Sequence, residues 1–126
     1  MPVHVQGALL SIGDGHAGQG EGEVSGTAIE TSLRGTIQVF VRKGRKTTWP
    51  RAETPTHYIT MGLHEDLNEA ARIAVKEMID FLVTEKGMKR EDAYILCSVA
   101  ADLQVTQTVD QTKGVHAMIA KSIFRQ

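Results

Sequence analysis

The stretch Asp66-Leu67-Asn68-Glu69-Ala70-Ala71-Arg72-Ile73-Ala74-Val75-Lys76-Glu77-Met78-Ile79-Asp80-Phe81-Leu82, running on to Gly87, decides the fold class. Leu67, Ala70, Ala71, Ala74, Met78, Ile79 and Leu82 recur at helical spacing. Asp66 can accept a hydrogen bond from an early helical N–H, and Glu69 three residues on completes a capping-box-like pair. Gly87 supplies the stop, because a glycine ends a helix without a Cβ penalty. A second helix is expected over Arg90–Ala101, with Ala93, Leu96, Cys97 and Ala100 on one face.

Strand signals surround this helical block. Asp102–Val109 alternates with period two, Asp110–Lys113 reads as a turn, and Val115–Ile119 reads as a last strand. Upstream, Val3–Ile12, Val24–Thr31, Gly35–Lys43, Lys46–Trp49 and Thr56–Met61 all read as strands, with Gly62 ending the last. Trp49–Pro55 is expected to be irregular, because Pro50 and Pro55 restrict both themselves and the residues before them. The expected class is therefore α+β: a β-rich N-terminal half with hairpins around a glycine-rich loop, then two helices and one or two strands. At 126 residues the chain fits a single domain, 1–126, large enough to bury a core. A strand starting at Val3 has no earlier neighbour in sequence, so its pairing partner lies elsewhere in the chain or in another chain.

Composition excludes several classes. The formal charge is −1 and aromatic residues are 5%, which argues against a nucleic-acid partner. The one basic run, Arg42-Lys43-Gly44-Arg45-Lys46, reads as a solvated hairpin turn. No apolar run reaches membrane-spanning length, and the N-terminus has no signal-peptide pattern. One cysteine, Cys97, excludes an internal disulfide; it reads as a buried, inert thiol in a cytoplasmic protein.

The chemistry concentrates in Ile12–Val24, with five glycines, three carboxylates and a histidine. Its Gly13-x-Gly15-x-x-Gly18 pattern is not a dinucleotide fingerprint. No helix opens after it, and Asp14, Glu21 and Glu23 would repel a phosphate. Asp14 and His16 sit two apart and project to one side of an extended segment, and Glu21 and Glu23 repeat the spacing on the way out. Two such arms could converge on one cation. The Asp/His/Glu mixture suits Zn²⁺, with Ca²⁺ or Mg²⁺ as the alternatives for an all-oxygen set. The competing reading is a solvent-exposed acidic hairpin loop. His57 in a β-like run either faces a pocket or is structural, and Asp102 at a helix-to-strand junction would brace a ligand or a turn. His116 is open to the same two readings as His57, whereas His4 and His64 read as surface residues.

Several motifs in order resemble the acetamidase/formamidase family: Ser11–Ala17, Gln19–Val24, Gly26–Thr31, Trp49–Pro55, Glu91–Tyr94, Asp102–Asp110 and Lys113–Met118. The resemblance implies hydrolysis of short linear amides, formamide or acetamide, to a carboxylate and ammonia by a metal-activated water. It makes Asp14 and His16 candidate metal ligands and Glu23 the candidate general base. Glu21 becomes a further carboxylate at the site, although family members commonly carry Asp there. Family enzymes are far longer, and the match is to their C-terminal part. The expectation is a fragment, a split subunit or a truncated homologue, acting with a complementary N-terminal chain or as a homo-oligomer. The rival expectation is a non-catalytic assembly or cation-binding module.

Overall fold

The computed structural model describes residues 1–44 and 47–124. Its main layer is a four-stranded antiparallel sheet. In chain order the elements are β1 (Gly15–Gly18), β2 (Ile29–Thr31), β3 (Arg51–Glu53), β4 (His57–His64), α1 (Leu67–Lys86), α2 (Arg90–Ala100), β5 (Ala101–Gln107) and β6 (Lys113–Ala120), followed by a 3₁₀ turn at Lys121–Ile123. The sheet runs β3-β4-β6-β5, and β1 and β2 form a separate two-stranded ribbon. The α+β class holds.

Helix α1 forms for the reasons its sequence supplies. Asp66 Oδ1 accepts from the Glu69 N–H at 3.0 Å, and Gly87 adopts φ 66° at the other end. Its buried face, Ala70, Ala74, Met78, Ile79 and Leu82, joins Ala93 and Cys97 of α2 and Val115, Ala117 and Ile119 of β6 in one core. Burial pushes the Cys97 thiol pKa up, as suits an inert core thiol. The Thr60 hydroxyl donates to the Ala74 carbonyl at 2.8 Å inside this layer. Arg51 on β3 reaches the buried Glu77 on α1 at 3.1 Å, tying the edge strand to the helix. Asp66→Ala is expected to cost about 1 kcal/mol, the usual value of an N-cap. Urea unfolding followed by far-UV circular dichroism measures it.

The N-terminal strands differ from the sequence expectation. Residues 1–14 and 32–44 carry no strand, and of Val24–Thr31 only Ile29–Thr31 is extended and paired. The apolar side chains that suggested strands stay exposed, Phe40 at 72% and Val41 at 83%. A strand is stabilised by a neighbour that satisfies its backbone groups, and these segments pair with nothing among the described residues. Lys43 and Gly44 lie in a turn; Arg45 and Lys46 of the expected basic turn lie outside the described residues. Thr47–Trp49 is not a strand, whereas Arg51–Glu53, expected to be irregular, is one. The prolines flank β3 rather than interrupt it, and β3 is an edge strand, where proline is tolerated. Gly62 lies within β4, which continues to His64.

Candidate metal centre

The ribbon β1–β2 sets His16 directly opposite Glu30. Residues opposite each other in an antiparallel pair project to the same face. Gly15 must lack a side chain: a Cβ there would meet the Leu33 side chain and stand 2.8 Å from the Thr31 carbonyl oxygen. Asp14 adopts φ 58°, a left-handed conformation that Asp tolerates better than most residues. The turn brings its carboxylate to 3.3 Å from His16 Nε2, while Glu30 Oε2 lies 3.1 Å from the same atom.

Each of these three residues presents one donor atom, and the three atoms lie within 4.8 Å of one another. The His16 Nε2 atom is buried and makes no hydrogen bond. It is close to both carboxylates but off hydrogen-bond angles, so neither oxygen satisfies it. A four-coordinate cation with bonds of about 2.0–2.1 Å has ligand-to-ligand edges of roughly 3.3 Å. The two separations from His16 Nε2 match that spacing, so the trio could hold a divalent cation. On the other side of the ring, Nδ1 lies 2.7 Å from Gln19 Oε1. The Gln19 carbonyl raises the His16 pKa above 6.5, desolvation opposes it, and the smaller contributions of the Glu30 and Asp14 charges add to the rise.

The other sequence-predicted residues lie elsewhere. Glu21 and Glu23 are outside the trio and flank Gly22, which is clamped to the edge of β5. The Gly22 N–H donates to the Val105 carbonyl at 2.7 Å, and its own carbonyl accepts from the Thr108 N–H at 2.8 Å. Glu23 has φ 41°, in the left-handed region, between two turns closed by Glu23 N–H to Gly20 O and Gly26 N–H to Glu23 O. Such a conformation is costly for a residue with a Cβ. Burial lowers the His116 pKa, and the Glu21 charge offsets part of the fall. The His116 ring is held at both nitrogens, by Thr106 Oγ1 at 2.7 Å and Gln104 Oε1 at 2.9 Å. His57 begins β4 and is bonded to the Thr56 hydroxyl through Nδ1 at 2.9 Å. Asp102 is exposed on β5 opposite Met118. Neither joins the trio. Glu30 is the member of the trio that sequence reasoning did not single out. Its signal was present in the Gly26–Thr31 motif, but which residue faces His16 depends on a register closed over a ten-residue loop.

The fold and the ribbon have known relatives. The Acetamidase/Formamidase family model matches residues 1–126. The acetamidase of Yersinia enterocolitica superimposes with a TM-score of 0.84 at 36% identity, over 88% of this chain and 34% of that one. The acetamidase of Bacillus halodurans gives 0.74 at 33% identity, over 86% of this chain and 37% of that one. A predicted acetamidase/formamidase of Thermoanaerobacter tengcongensis gives 0.74 at 26% identity, over 86% of this chain and 36% of that one. No curated protein matches the sequence. The chain belongs to the acetamidase/formamidase family. It spans about a third of the length of the solved relatives.

Proposed function

We propose that this chain forms part of a hydrolase of short linear amides such as formamide and acetamide, releasing a carboxylate and ammonia. Family membership across residues 1–126 carries this reading. The Asp14/His16/Glu30 trio supports a place for a divalent cation, zinc first given the mixed nitrogen and oxygen donors. A cation bound there would polarise the amide carbonyl and lower the pKa of a water molecule.

The chain's own residues divide the remaining work. His16 offers Nε2 as the neutral donor, and Asp14 and Glu30 offset positive charge. Glu23 takes a proton from the attacking water and returns it to the leaving nitrogen, as a positioned carboxylate can. Its left-handed backbone supports that role, since strain of this kind concentrates at functional sites. Glu21 stands beside the His116 network, while His57 and Asp102 support the surrounding strands. The reaction takes place in the cytoplasm.

The exposed apolar side chains of the N-terminal segment, including Ile37, Val39, Phe40 and Val41, fit a surface that another polypeptide covers. The covering segment is the equivalent of the remaining two-thirds of the relatives' length, on the same chain or on a separate one, or a further copy of this one. The same surface favours a second reading, a cation-binding assembly module without catalysis of its own. Ammonia release from formamide and acetamide, with and without the complementary chain, separates the two. Wild-type activity in the assembly and a loss of about 100-fold or more in Glu23→Gln are expected, the scale of a general base. Full activity of Glu23→Gln overturns the assignment of the base, and an inactive wild-type assembly favours the second reading.

A further inference from the structure

We propose that Gln19 is a positioning residue: its side-chain carbonyl fixes the His16 imidazole as the Nδ1–H tautomer and so aims the Nε2 lone pair into the space between Asp14 and Glu30. The inference rests on the cation reading for its purpose, but its geometry stands independently.

The Gln19 amide is oriented by the main layer. Its Nε2 group donates to the Thr106 carbonyl at 3.2 Å. With the nitrogen committed there, the atom 2.7 Å from His16 Nδ1 is the carbonyl oxygen, which can only accept. Nδ1 must therefore carry the hydrogen, and in a neutral ring Nε2 must then carry the lone pair. That atom is the buried one that lacks a hydrogen bond and lies between two carboxylate oxygens.

Irregularities in two strands place Gln19 where it can do this. The β1 register shifts between His16 and Gly18, and the β5 register shifts between Val105 and Gln107. In a regular strand successive carbonyls face opposite edges. Here two consecutive carbonyls, Val105 and Thr106, both accept from the glycine loop, one from the Gly22 N–H and one from Gln19. A bulge that re-aims one carbonyl accounts for this. The sheet thus dictates the Gln19 amide, the amide dictates the ring, and the ring faces the carboxylates. An imidazole ligand whose second nitrogen donates to a fixed acceptor is held in orientation and made a better donor.

The test compares wild type, Gln19→Leu and Gln19→Glu in the full chain. Long-range ¹H–¹⁵N spectra of the metal-free proteins, at alkaline pH where the ring is neutral, report the His16 tautomer. Zinc titration reports affinity. Wild type is expected as Nδ1–H. Gln19→Leu should move the ring toward Nε2–H and weaken zinc binding by about 10–100-fold. Gln19→Glu keeps the acceptor for Nδ1–H but loses the bond to the Thr106 carbonyl, so it should retain the tautomer and lose less affinity than Gln19→Leu, a partial rescue that a merely space-filling role would not give. A wild-type ring in the Nε2–H form overturns the proposal, as does a Gln19→Leu protein with unchanged tautomer and affinity. If wild type binds no zinc, the cation reading fails, and the tautomer spectra still decide the role of Gln19.

Discussion

Gly62→Ala is expected to destabilise the protein by at least about 3 kcal/mol, the upper end of the usual overpacking cost. Gly62 sits on the helix-facing side of β4, opposite Val115 of β6. A Cβ built on it would overlap the Ala70 carbonyl oxygen and stand 2.6 Å from the Ala74 backbone nitrogen and 3.0 Å from the Ala70 carbonyl carbon. All three are main-chain atoms inside α1, so no side-chain rotation relieves the overlap. The helix must move off the sheet by roughly an ångström, opening gaps around Met78 and Leu82, both fully buried. Small domains have total stabilities of about 5–15 kcal/mol, so much of the margin is lost. The melting temperature should fall on the order of 10 °C or more. Gly13→Ala is the control: no atom lies within 4 Å of its Cβ position and its φ is not positive, so its midpoint should stay within about 0.5 kcal/mol of wild type. Equal urea midpoints for Gly62→Ala and wild type would show that α1 does not seat on β4 at this distance.

The same glycine shows what the sequence can and cannot disclose. Gly62 invited the reading of a strand end, because glycine locally is punctuation. Its actual role, to admit Ala70 and Ala74 of a helix that follows it, is a tertiary fact. Helix α1 was legible because its determinants are local: Asp66 bonds to Glu69 and Gly87 closes the end within one turn. Strands β5 and β6 were legible because they alternate and are joined by a short turn. The run at 35–43 also alternates and the run at 3–12 is β-rich, yet such patterns state only that apolar side chains seek burial, not that a neighbour is present. Asp14 and His16 were legible from residue type and spacing. Glu30 was not singled out, because its approach to His16 is set by the ribbon register. Gln19 drew no attention because its role depends on a bulge in β5, far away in sequence.

Removing one member of the trio is expected to weaken zinc binding by at least about 100-fold, since loss of a ligand should exceed the 10–100-fold cost of losing an outer hydrogen-bond partner. Asp14→Asn, His16→Ala and Glu30→Gln should all show it in zinc titrations, whereas Glu21→Gln and Glu23→Gln should stay within about three-fold, because neither belongs to the trio. This comparison separates a cation held across the β1–β2 ribbon from one held between the two arms of the glycine loop. A large loss in Glu21→Gln with none in Glu30→Gln would favour the loop. The pH dependence adds a second discriminator. A proton and a cation compete for His16 Nε2, so affinity must fall as pH falls through the His16 pKa. The Gln19 carbonyl first, and then the Glu30 and Asp14 charges, hold that pKa above 6.5, so the weakening in wild type should begin above that pH. Glu30→Gln removes one of those charges, so the onset of whatever binding remains should move to lower pH even as its plateau drops. Glu23→Gln should leave the onset where it is in wild type. A shift of onset without a drop of plateau would mean that Glu30 acts on the imidazole through its charge alone and does not bind the cation.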